Sequence, residues 1–345
     1  MAYFKFMTTQ DGSIGLYNEE IMDIYHAREG AYSEALEKFA IPSIMFIKKA
    51  KLKGILNLCD ICFGIGYNSF AFLENFLSDE ISNIFLKINI SVIEYDKELI
   101  ILAPFIKNPN ISFILRKKLL NSIRNIYSFG KILDVVNKYQ THIDKTLYMQ
   151  FKGGIKYKRQ LSPTLNRKRL FLHNTYYNYM SNRFKYVLRL SNIKKIKFNI
   201  YDDDARKTIK NINTGQNIVF LDAFDPKKLP TLWTKEFFEQ IYKISDDNFE
   251  LFTYSHAACV RSAMIEAKFF VGQNNNKGTI AVKNKKYISA PLSKYEEGLL
   301  NTSAGICFRD YNLNGTKDDI IQERLRRVKS EGRESSTHYA KTHQK

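Results

Sequence analysis

The sequence lacks the features of several protein classes. No apolar run reaches roughly 18 residues, so we expect no membrane-spanning helix and no membrane partner. The N-terminal residues MAYFKFMTTQDGS lack the charged start and the apolar run of a signal peptide. Cysteine is also scarce, with only Cys59, Cys62, Cys259 and Cys307 in the chain. Four such residues make no disulfide framework, so a reducing compartment is favoured and we expect a cytoplasmic protein.

The cysteines give little support for a metal site. Cys59 and Cys62 are spaced C-x-x-C, but neither a second cysteine pair nor a histidine pair accompanies them. A structural zinc ion needs four such ligands. We therefore expect no metal, and two buried thiols that behave as small apolar groups.

Acidic residues are nearly missing from one long segment. Between Ala103 and Asn199 the chain carries 21 Lys and Arg but only Asp134 and Asp144, a net charge of +19 against +18 for the whole protein. Tyrosines are interleaved with these cations, and Arg167, Lys168 and Arg169 form one of the basic runs. Phosphates bind Lys and Arg, and bases stack on Tyr. The segment therefore predicts a nucleic-acid-binding insertion, with a solvated charged surface as the alternative.

Apolar runs of strand length alternate with helical segments on both sides of this insertion. Continuous apolar strands with helical crossovers indicate a mainly parallel sheet, buried on both faces. The pattern ends in a β-hairpin, which is the ending expected of a class I (Rossmann-like) methyltransferase fold of the α/β class. The predicted strands are 55–61, 88–95, 197–205, 217–224 and 250–255, and the hairpin pairs 269–272 with 278–282.

Five regions follow from this pattern. The N-terminal cap has a turn at Asp11-Gly12 and a helix from Tyr32 to Phe39, which Pro42 ends or kinks. The tail is charged and polar, which predicts disorder after a helix over 318–331. We assign a cap to 1–45, the first part of the methyltransferase domain to 46–103, the basic insertion to 104–196, the second part of that domain to 197–331 and a disordered tail to 332–345.

Acidic residues and glycines stand where each of the first four strands ends. The first strand offers Asp60 and the Gly64/Gly66 turn, and Asn68 is predicted to cap the helix that follows. The second strand ends in Glu94. The other two end in Asp202 to Asp204 and in Asp222. Ligands of parallel sheets bind at these strand ends, so the sequence predicts a nucleotide-type cofactor site.

The turn DICFGIGYN (60–68) favours S-adenosylmethionine over NAD. A pyrophosphate requires a three-glycine turn at a helix N-terminus, and Cys62 stands where the first glycine would be. S-adenosylmethionine has no phosphate, and its ammonium and sulfonium groups suit an acid-lined site. Glycine at Gly64 and Gly66 lets the backbone approach such a ligand closely.

Two segments carry a family resemblance. LDAFDPKKLPTLWT (221–234) and DICFGIGYN (60–68) resemble the signatures of the MnmC methyltransferase family, the methyltransferase half of a bifunctional tRNA-modifying enzyme. The resemblance implies methylation of the amino group of 5-aminomethyluridine, or its 2-thio form, at the tRNA wobble position. It also implies tRNA as partner, substrate supplied by upstream wobble-modification enzymes, and no FAD, because no segment is left for the oxidase half. We expect a monomer.

The resemblance and the strand positions assign roles to individual residues. Asp222 is the catalytic candidate, because it stands where this class of enzyme meets its acceptor and a carboxylate there can orient an amine. The expected cofactor-binding residues are Asp60, Gly64, Gly66, Asn68, Glu94 toward the ribose, and Asp204 with Ala205 toward the adenine. The expected substrate-binding residues are Tyr25, His26, Glu34, Phe224, Trp233, Arg167, Lys168 and Arg169.

Three other functions stay open at this point. The chain could methylate another RNA or DNA base, or it could bind RNA without catalysis. An NAD-dependent oxidoreductase is the third alternative. The missing glycine and the closing hairpin count against the last, and the acids at successive strand ends count against the second.

Overall fold

The computed structural model describes residues 4–19, 22–24, 30–153, 191–275 and 278–343. Within these ranges the chain forms one large sheet flanked by helices and one small N-terminal sheet. Among the described helices, none has the length and apolarity needed to cross a membrane.

The N-terminal cap begins with a small antiparallel sheet of β1 (Phe4–Thr8), β2 (Ile14–Asn18) and β3 (Asp23–Ile24). The predicted Asp11-Gly12 turn joins β1 to β2, and the Asp11 carboxylate accepts hydrogen bonds from Ser13 N at 2.9 Å and from Ser33 N at 2.8 Å. Burial would raise the pKa of Asp11, but these bonds, together with those from the Ser13 and Thr9 hydroxyls, hold it well below its usual range. The turn thereby ties the small sheet to the first helix.

The cap helix is interrupted by a wider turn. Residues Ala31–Ala35 form α1, Leu36–Ala40 follow as a π-helical turn, and α2 (Ile41–Lys49) follows without a break. Pro42 lies at the start of α2 and has no N–H to donate to the carbonyl of Lys38, four residues earlier. The prediction that Pro42 ends the helix is wrong, because α2 continues to Lys49, and a kink at Pro42 stays a prediction.

The large sheet has seven strands in the order β6-β5-β4-β7-β8-β10-β9. The first five are parallel, and β10 runs antiparallel to both of its neighbours, so the predicted parallel sheet with a closing hairpin is confirmed. The strands are β4 (Gly54–Ile61), β5 (Phe85–Ile93), β6 (Ile196–Tyr201), β7 (Gln216–Leu221), β8 (Ser245–Thr253), β9 (Phe270–Gln273) and β10 (Thr279–Val282).

Helices cover both faces of this sheet, which is why β4 and β7 consist almost wholly of buried residues at the end that meets the site. They are α3 (Tyr67–Phe76), α4 (Lys97–Leu102), the short α8 (Ala205–Thr208), α9 (Lys235–Ile244) and α10 (Ala258–Glu266). Tyr67 of α3 fixes the cap to the sheet, because its hydroxyl donates to Ile14 O at 3.0 Å and accepts from Ile14 N at 2.9 Å.

The described first half of the basic insertion is helical and packs on the methyltransferase core. It contains α5 (Phe113–Ile123), α6 (Phe129–Lys138) and α7 (Lys145–Lys152), whose apolar residues belong to the same buried cluster as those of β5. A buried Arg116 pairs with Asp144 at 2.7 Å. The ring of Phe6 in β1 stacks on His142 at 4.8 Å, so the insertion also contacts the cap.

The C-terminal part is more ordered than the sequence predicts. After α11 (Lys294–Leu300), the helix α12 spans Lys317–Glu331, and α13 follows at Ser336–His343. Tyr339 of α13 packs its ring 5.7 Å from that of Tyr295. The predicted disorder over 332–345 is therefore wrong for Ser336–His343, because an aromatic contact that composition does not reveal holds this polar helix.

Candidate active site

Three acidic residues meet at one edge of the large sheet. Asp60 lies in β4, and Glu94 and Asp222 directly follow the neighbouring strands β5 and β7. The strands run in register, with Ile61 paired to Ile93 on one side and to Leu221 on the other. The carboxyl ends of adjacent parallel strands therefore bring the three carboxylates together, as the sequence predicts.

The turn after β4 is held against the end of β5. The backbone N–H groups of Cys62 and Phe63 both donate to Ile93 O, at 3.0 Å and 3.1 Å. Gly64 N donates to Glu94 Oε2 at 2.8 Å. This turn is thus fixed by backbone bonds before any ligand is present.

The backbone of this turn explains the preference for glycine. Cys62, Gly64 and Gly66 all have positive φ angles, of 64°, 56° and 85°. A residue with a side chain pays about 1–2 kcal/mol in the left-handed region, so Cys62 is tolerated at the first position at a modest cost. At Gly66 an added Cβ would lie 2.4 Å from Cζ of Phe63, so only glycine fits there without movement.

Glu94 is buried and both of its oxygens are engaged. Oε2 accepts from Gly64 N, and Oε1 accepts from Asp96 N at 2.9 Å. Burial raises the pKa of Glu94 to about 7 despite these bonds. The carboxylate therefore organises both turns at this edge, and its contact with ribose hydroxyls stays a prediction.

Asp60 and Asn68 each have an unsatisfied buried atom. Ser69 Oγ donates to Asp60 Oδ2 at 2.6 Å, and Asn68 Nδ2 donates to Asp222 Oδ2 at 2.8 Å. Asp60 Oδ1 and Asn68 Oδ1 are buried without a hydrogen-bond partner in the part of the chain that the structure describes. Such atoms are costly unless a ligand donates to them. They fit the ammonium group of S-adenosylmethionine, which has three N–H donors.

The structure corrects the role predicted for Asn68. Gly66, in the left-handed conformation, is the N-cap of α3, and Asn68 lies inside the helix. Its side chain therefore points across to Asp222 and does not bond its own backbone. Sequence reasoning missed this contact, because the two residues are 154 positions apart.

Asp222 lies where the cofactor end of the site meets the cap. Burial raises the pKa of Asp222 to about 7, and repulsion from Glu34 adds to this, whereas the bond from Asn68 and the charge of Lys38 oppose it. Burial likewise raises the pKa of Asp60 to about 7, with smaller contributions from Asp222 and Glu94. The three carboxyls are therefore only partly ionised near pH 7, and a bound cation would favour their ionised form.

The loop after β7 is supported by a fully buried indole. Trp233 is completely buried, and its Nε1 donates to Phe224 O at 2.8 Å. Its ring packs edge-on against Tyr254, 6.1 Å between centroids. The prediction that Trp233 contacts the substrate is therefore corrected, because no part of its ring is accessible. Phe224 is half-buried on this loop.

Asp204, which is predicted to contact the adenine, already has hydrogen-bond partners within the protein. Asp204 caps α8, and both of its oxygens accept hydrogen bonds from Arg206. Arg206 is further held by Asp310 at 2.9 Å, so this arginine serves the fold. Ala205 is buried at the start of α8. The roles of Asp204 and Ala205 toward adenine remain predictions.

A broad cleft of about 970 Å³ opens beside Glu94. It lies between the ends of β5 and β6 and the helix α6 of the insertion. Tyr127 and Tyr139 of the insertion donate hydrogen bonds to two of its lining residues, Asp202 at 2.8 Å and Glu98 at 2.9 Å. Its lining is Tyr95, Asp96, Lys97, Glu98, Ile101, Lys131, Asp134, Val135, Lys138, Asp202 and Asp203. The exposed ring of Tyr95 was not singled out by sequence reasoning, although its position directly after Glu94 was a usable signal.

Several predicted residues cannot be placed. Tyr25, His26 and the run Arg167, Lys168 and Arg169 lie outside the described residues. Glu34, by contrast, is described and lies close enough to Asp222 to raise its pKa. Among the described residues there is no group of three or more His, Cys, Asp or Glu side chains arranged to hold a metal ion. All four cysteines are free thiols.

Comparison with known proteins gives the class. A family model described as an S-adenosyl-L-methionine-dependent methyltransferase matches residues 168–285. The chain superposes on the crystal structure of MnmC2 from Aquifex aeolicus with a TM-score of 0.63 and 22% identity, covering 96% of this chain and 86% of that one. Together with the sheet order, this likeness establishes the class I methyltransferase fold. The protein is an S-adenosylmethionine-dependent methyltransferase.

Within that class, the chain is similar to MnmC-type proteins. It is 32% identical over 75 residues to the tRNA 5-methylaminomethyl-2-thiouridine biosynthesis bifunctional protein MnmC of Pseudomonas entomophila, a match that spans 22% of this chain and 12% of that protein. It is also 29% identical over 328 residues to an uncharacterised protein of Methanocaldococcus jannaschii, covering 92% of this chain and 71% of the relative. The chain therefore resembles MnmC-type methyltransferases.

Proposed function

We propose that the protein transfers the methyl group of S-adenosylmethionine to the amino group of 5-aminomethyluridine, or its 2-thio form, at the wobble position of tRNA. The product is 5-methylaminomethyluridine or its 2-thio form, and S-adenosylhomocysteine is released. The observation that carries the proposal is the pair of Asn68 and Asp222, hydrogen-bonded at 2.8 Å at the end of β7. A carboxylate held in place by an amide suits an amine acceptor, since Asp222 offers an oxygen atom to its N–H groups.

The reaction is an in-line displacement, whose barrier falls mainly through positioning. S-adenosylmethionine supplies the activated methyl group. Asp60 Oδ1 and Asn68 Oδ1 would accept hydrogen bonds from its ammonium group, and Gly64 and Gly66 would line the path of its methionine part. Asp222 would accept a hydrogen bond from the acceptor amine and thereby direct the nitrogen lone pair at the methyl carbon. Upstream wobble-modification enzymes would supply the aminomethyl group.

The direct test is methyl transfer from labelled S-adenosylmethionine to tRNA that carries 5-aminomethyluridine. Wild type is compared with Asp222→Asn, which keeps the shape of the side chain and its bond to Asn68 but removes the charge. We expect label on the wobble nucleoside with wild type and a loss of at least about 100-fold in the variant. Cofactor binding without any label on this tRNA would show that the acceptor is different.

The described helices of the insertion support tRNA as partner. Two exposed cations seven residues apart accompany each one: Lys117 on α5 with Arg124 directly after its end, Lys131 and Lys138 on α6, and Lys145 and Lys152 on α7. Lys131 lies over the ring of Tyr127 at 4.7 Å, and Lys152 lies over Tyr148 at 5.8 Å. Residues 131 and 138 also line the cleft beside Glu94. Cations alternating with rings are suited to phosphates and bases.

Charge reversal tests this surface. Changing Lys117, Arg124 and Lys145 to Glu should weaken tRNA binding and flatten its salt dependence, because each lost phosphate contact reduces the slope by about 0.7–0.9. The matched control changes Lys51, Lys53 and Lys87 to Glu. These residues are also exposed, but they lie at the N-terminal ends of β4 and β5, whereas the site lies at the carboxyl ends. An equal loss in both triple variants would mean that only net charge matters and that the helices form no specific surface.

A further inference from the structure

The acceptor amine poses a proton problem that Asp222 alone does not solve. A primary amine is mostly an ammonium ion near pH 7, and an ammonium nitrogen has no lone pair with which to attack. The proton must therefore leave before the methyl group is transferred, and it must then reach water. Asp60 is completely inaccessible and Glu94 nearly so.

The cap places an ion pair beside Asp222. Lys38 Nζ lies 2.5 Å from Glu34 Oε1, and their side chains remain 26% and 18% exposed. Lys38 also lies over the ring of Tyr254 at 5.8 Å, and the Tyr254 hydroxyl donates to Ala223 O at 2.9 Å, directly after Asp222. A chain of contacts thus connects the ion pair to the end of β7 while one side stays open to water.

The π-turn over Leu36–Ala40 gives this pair its position. π-turns inside helices occur frequently at functional sites, because the extra residue changes the direction of the side chains around it. Pro42 cannot donate to Lys38 O, and Asn274 Nδ2 donates to that carbonyl at 2.7 Å instead. Asn274 is buried at the turn of the β9–β10 hairpin. Lys38 is therefore held by Glu34 of the cap and by Asn274 of the hairpin.

We propose that Glu34 accepts the proton that the acceptor ammonium must lose, that Lys38 positions the Glu34 carboxylate, and that Glu34 then passes the proton to water. The proposal rests on the proposed function, since it concerns the same amine. In the first step the N–H bond breaks and Glu34 becomes a carboxylic acid. In the second, the nitrogen lone pair forms the N–C bond while the C–S electron pair returns to sulfur. The product leaves as a secondary ammonium, and one proton is released per turnover.

The charges around Glu34 are compatible with this role. Lys38 pairs with Glu34 from its own helix, and Asp222 acts on it from the end of β7. His256, in the loop after β8, lies near Lys38, and Asp11 of the cap turn accepts a hydrogen bond from the backbone of the adjacent Ser33. Repulsion between Glu34 and Asp222 favours a proton on one of the two. The Glu34 side chain keeps 18% of its surface exposed, so a proton on it can exchange with water.

The test is the pH profile of methyl transfer for Glu34→Gln between pH 6 and 9.5. Glutamine keeps an oxygen for Lys38 but takes no proton. We expect turnover to fall about 100-fold at pH 7, which is typical for removal of a general base. Most of the rate should return by pH 9.5, where more of the amine is already neutral. The matched control is Glu37→Gln, an exposed residue on the same turn, which should stay within about twofold of wild type at every pH.

Two results would overturn the inference. A loss for Glu34→Gln that is equal at all pH values would show a structural role, and an unchanged profile would show no role. In either case wild type still methylates the tRNA, so the proposed function survives. Wild type that binds S-adenosylmethionine but never labels the aminomethyl tRNA would instead reject the proposed function itself. The affinity of Glu34→Gln for S-adenosylmethionine should equal that of wild type, which excludes misfolding.

Discussion

Cofactor binding should depend steeply on pH between 6 and 8. Asp60, Glu94 and Asp222 each have a pKa of about 7, raised chiefly by burial. The methionine part of S-adenosylmethionine carries two positive charges, on the ammonium and on the sulfonium. A nearby cation favours the ionised form of a carboxyl, so binding should lower these pKa values and release protons. Affinity should therefore rise with pH up to about 7 and level off above it.

The size of the effect follows from the pKa values. A carboxyl with a pKa of about 7 is about 90% ionised at pH 8 and about 10% ionised at pH 6. Each carboxyl that must be ionised in the complex therefore raises Kd about tenfold between pH 8 and pH 6, or about 1.4 kcal/mol. One such group gives about tenfold, and all three together set an upper limit of about a thousandfold.

Isothermal titration calorimetry in two buffers of different ionisation heat measures both the affinity and the protons released. S-adenosylhomocysteine keeps the ammonium but lacks the sulfonium charge, so its pH dependence should be shallower. Glu94→Gln should weaken binding and reduce the pH slope by up to one proton. Asp203→Asn is the matched control, because this exposed acid at the same edge of the sheet shows 60% side-chain exposure. A constant Kd from pH 6 to 8 without proton release would refute the reasoning.

Three further predictions concern the frame of the site. Tyr67→Phe removes two hydrogen bonds to the backbone of Ile14 and should lower the free energy of unfolding by about 1–3 kcal/mol, measured by denaturant titration; an unchanged value would mean that the cap is not fixed there. Gly66→Ala should abolish cofactor binding in a calorimetric titration, whereas Gly215→Ala, which has the same φ of 85° but open space around its Cβ, should lose only stability. Equal cofactor affinity in both would show that the crowding at residue 66 is harmless. Asp60→Asn should stabilise the cofactor-free protein at pH 8 by up to about 4 kcal/mol, since the folded pKa of about 7 exceeds the unfolded value and the ionised group destabilises the fold above it. This gain should vanish near pH 4 in thermal unfolding, and a gain equal at both pH values would contradict the assigned cause.

The strands themselves, their parallel arrangement and the acids at their ends were predictable from the sequence alone. Buried parallel strands are continuous apolar runs, and such a run can be recognised without knowledge of distant contacts. The carboxyl ends of neighbouring strands necessarily meet at one edge. Asp60, Glu94 and Asp222 could therefore be assigned to one site although they are far apart in the chain. The turn at Gly64 and Gly66 was recognisable for the same reason, because its φ angles are a local property.

The partners of those residues were decided by the tertiary structure. The bond between Asn68 and Asp222 joins residues 154 positions apart, and Asn274 reaches Lys38 across 236 positions. No local pattern encodes such contacts, because they depend on how whole elements pack. The same holds for the full burial of Trp233 and for the pairing of Arg206 with Asp310. The sequence determined which chemical groups stand at the strand ends. The packing of cap, hairpin and sheet decided which of these groups contact one another.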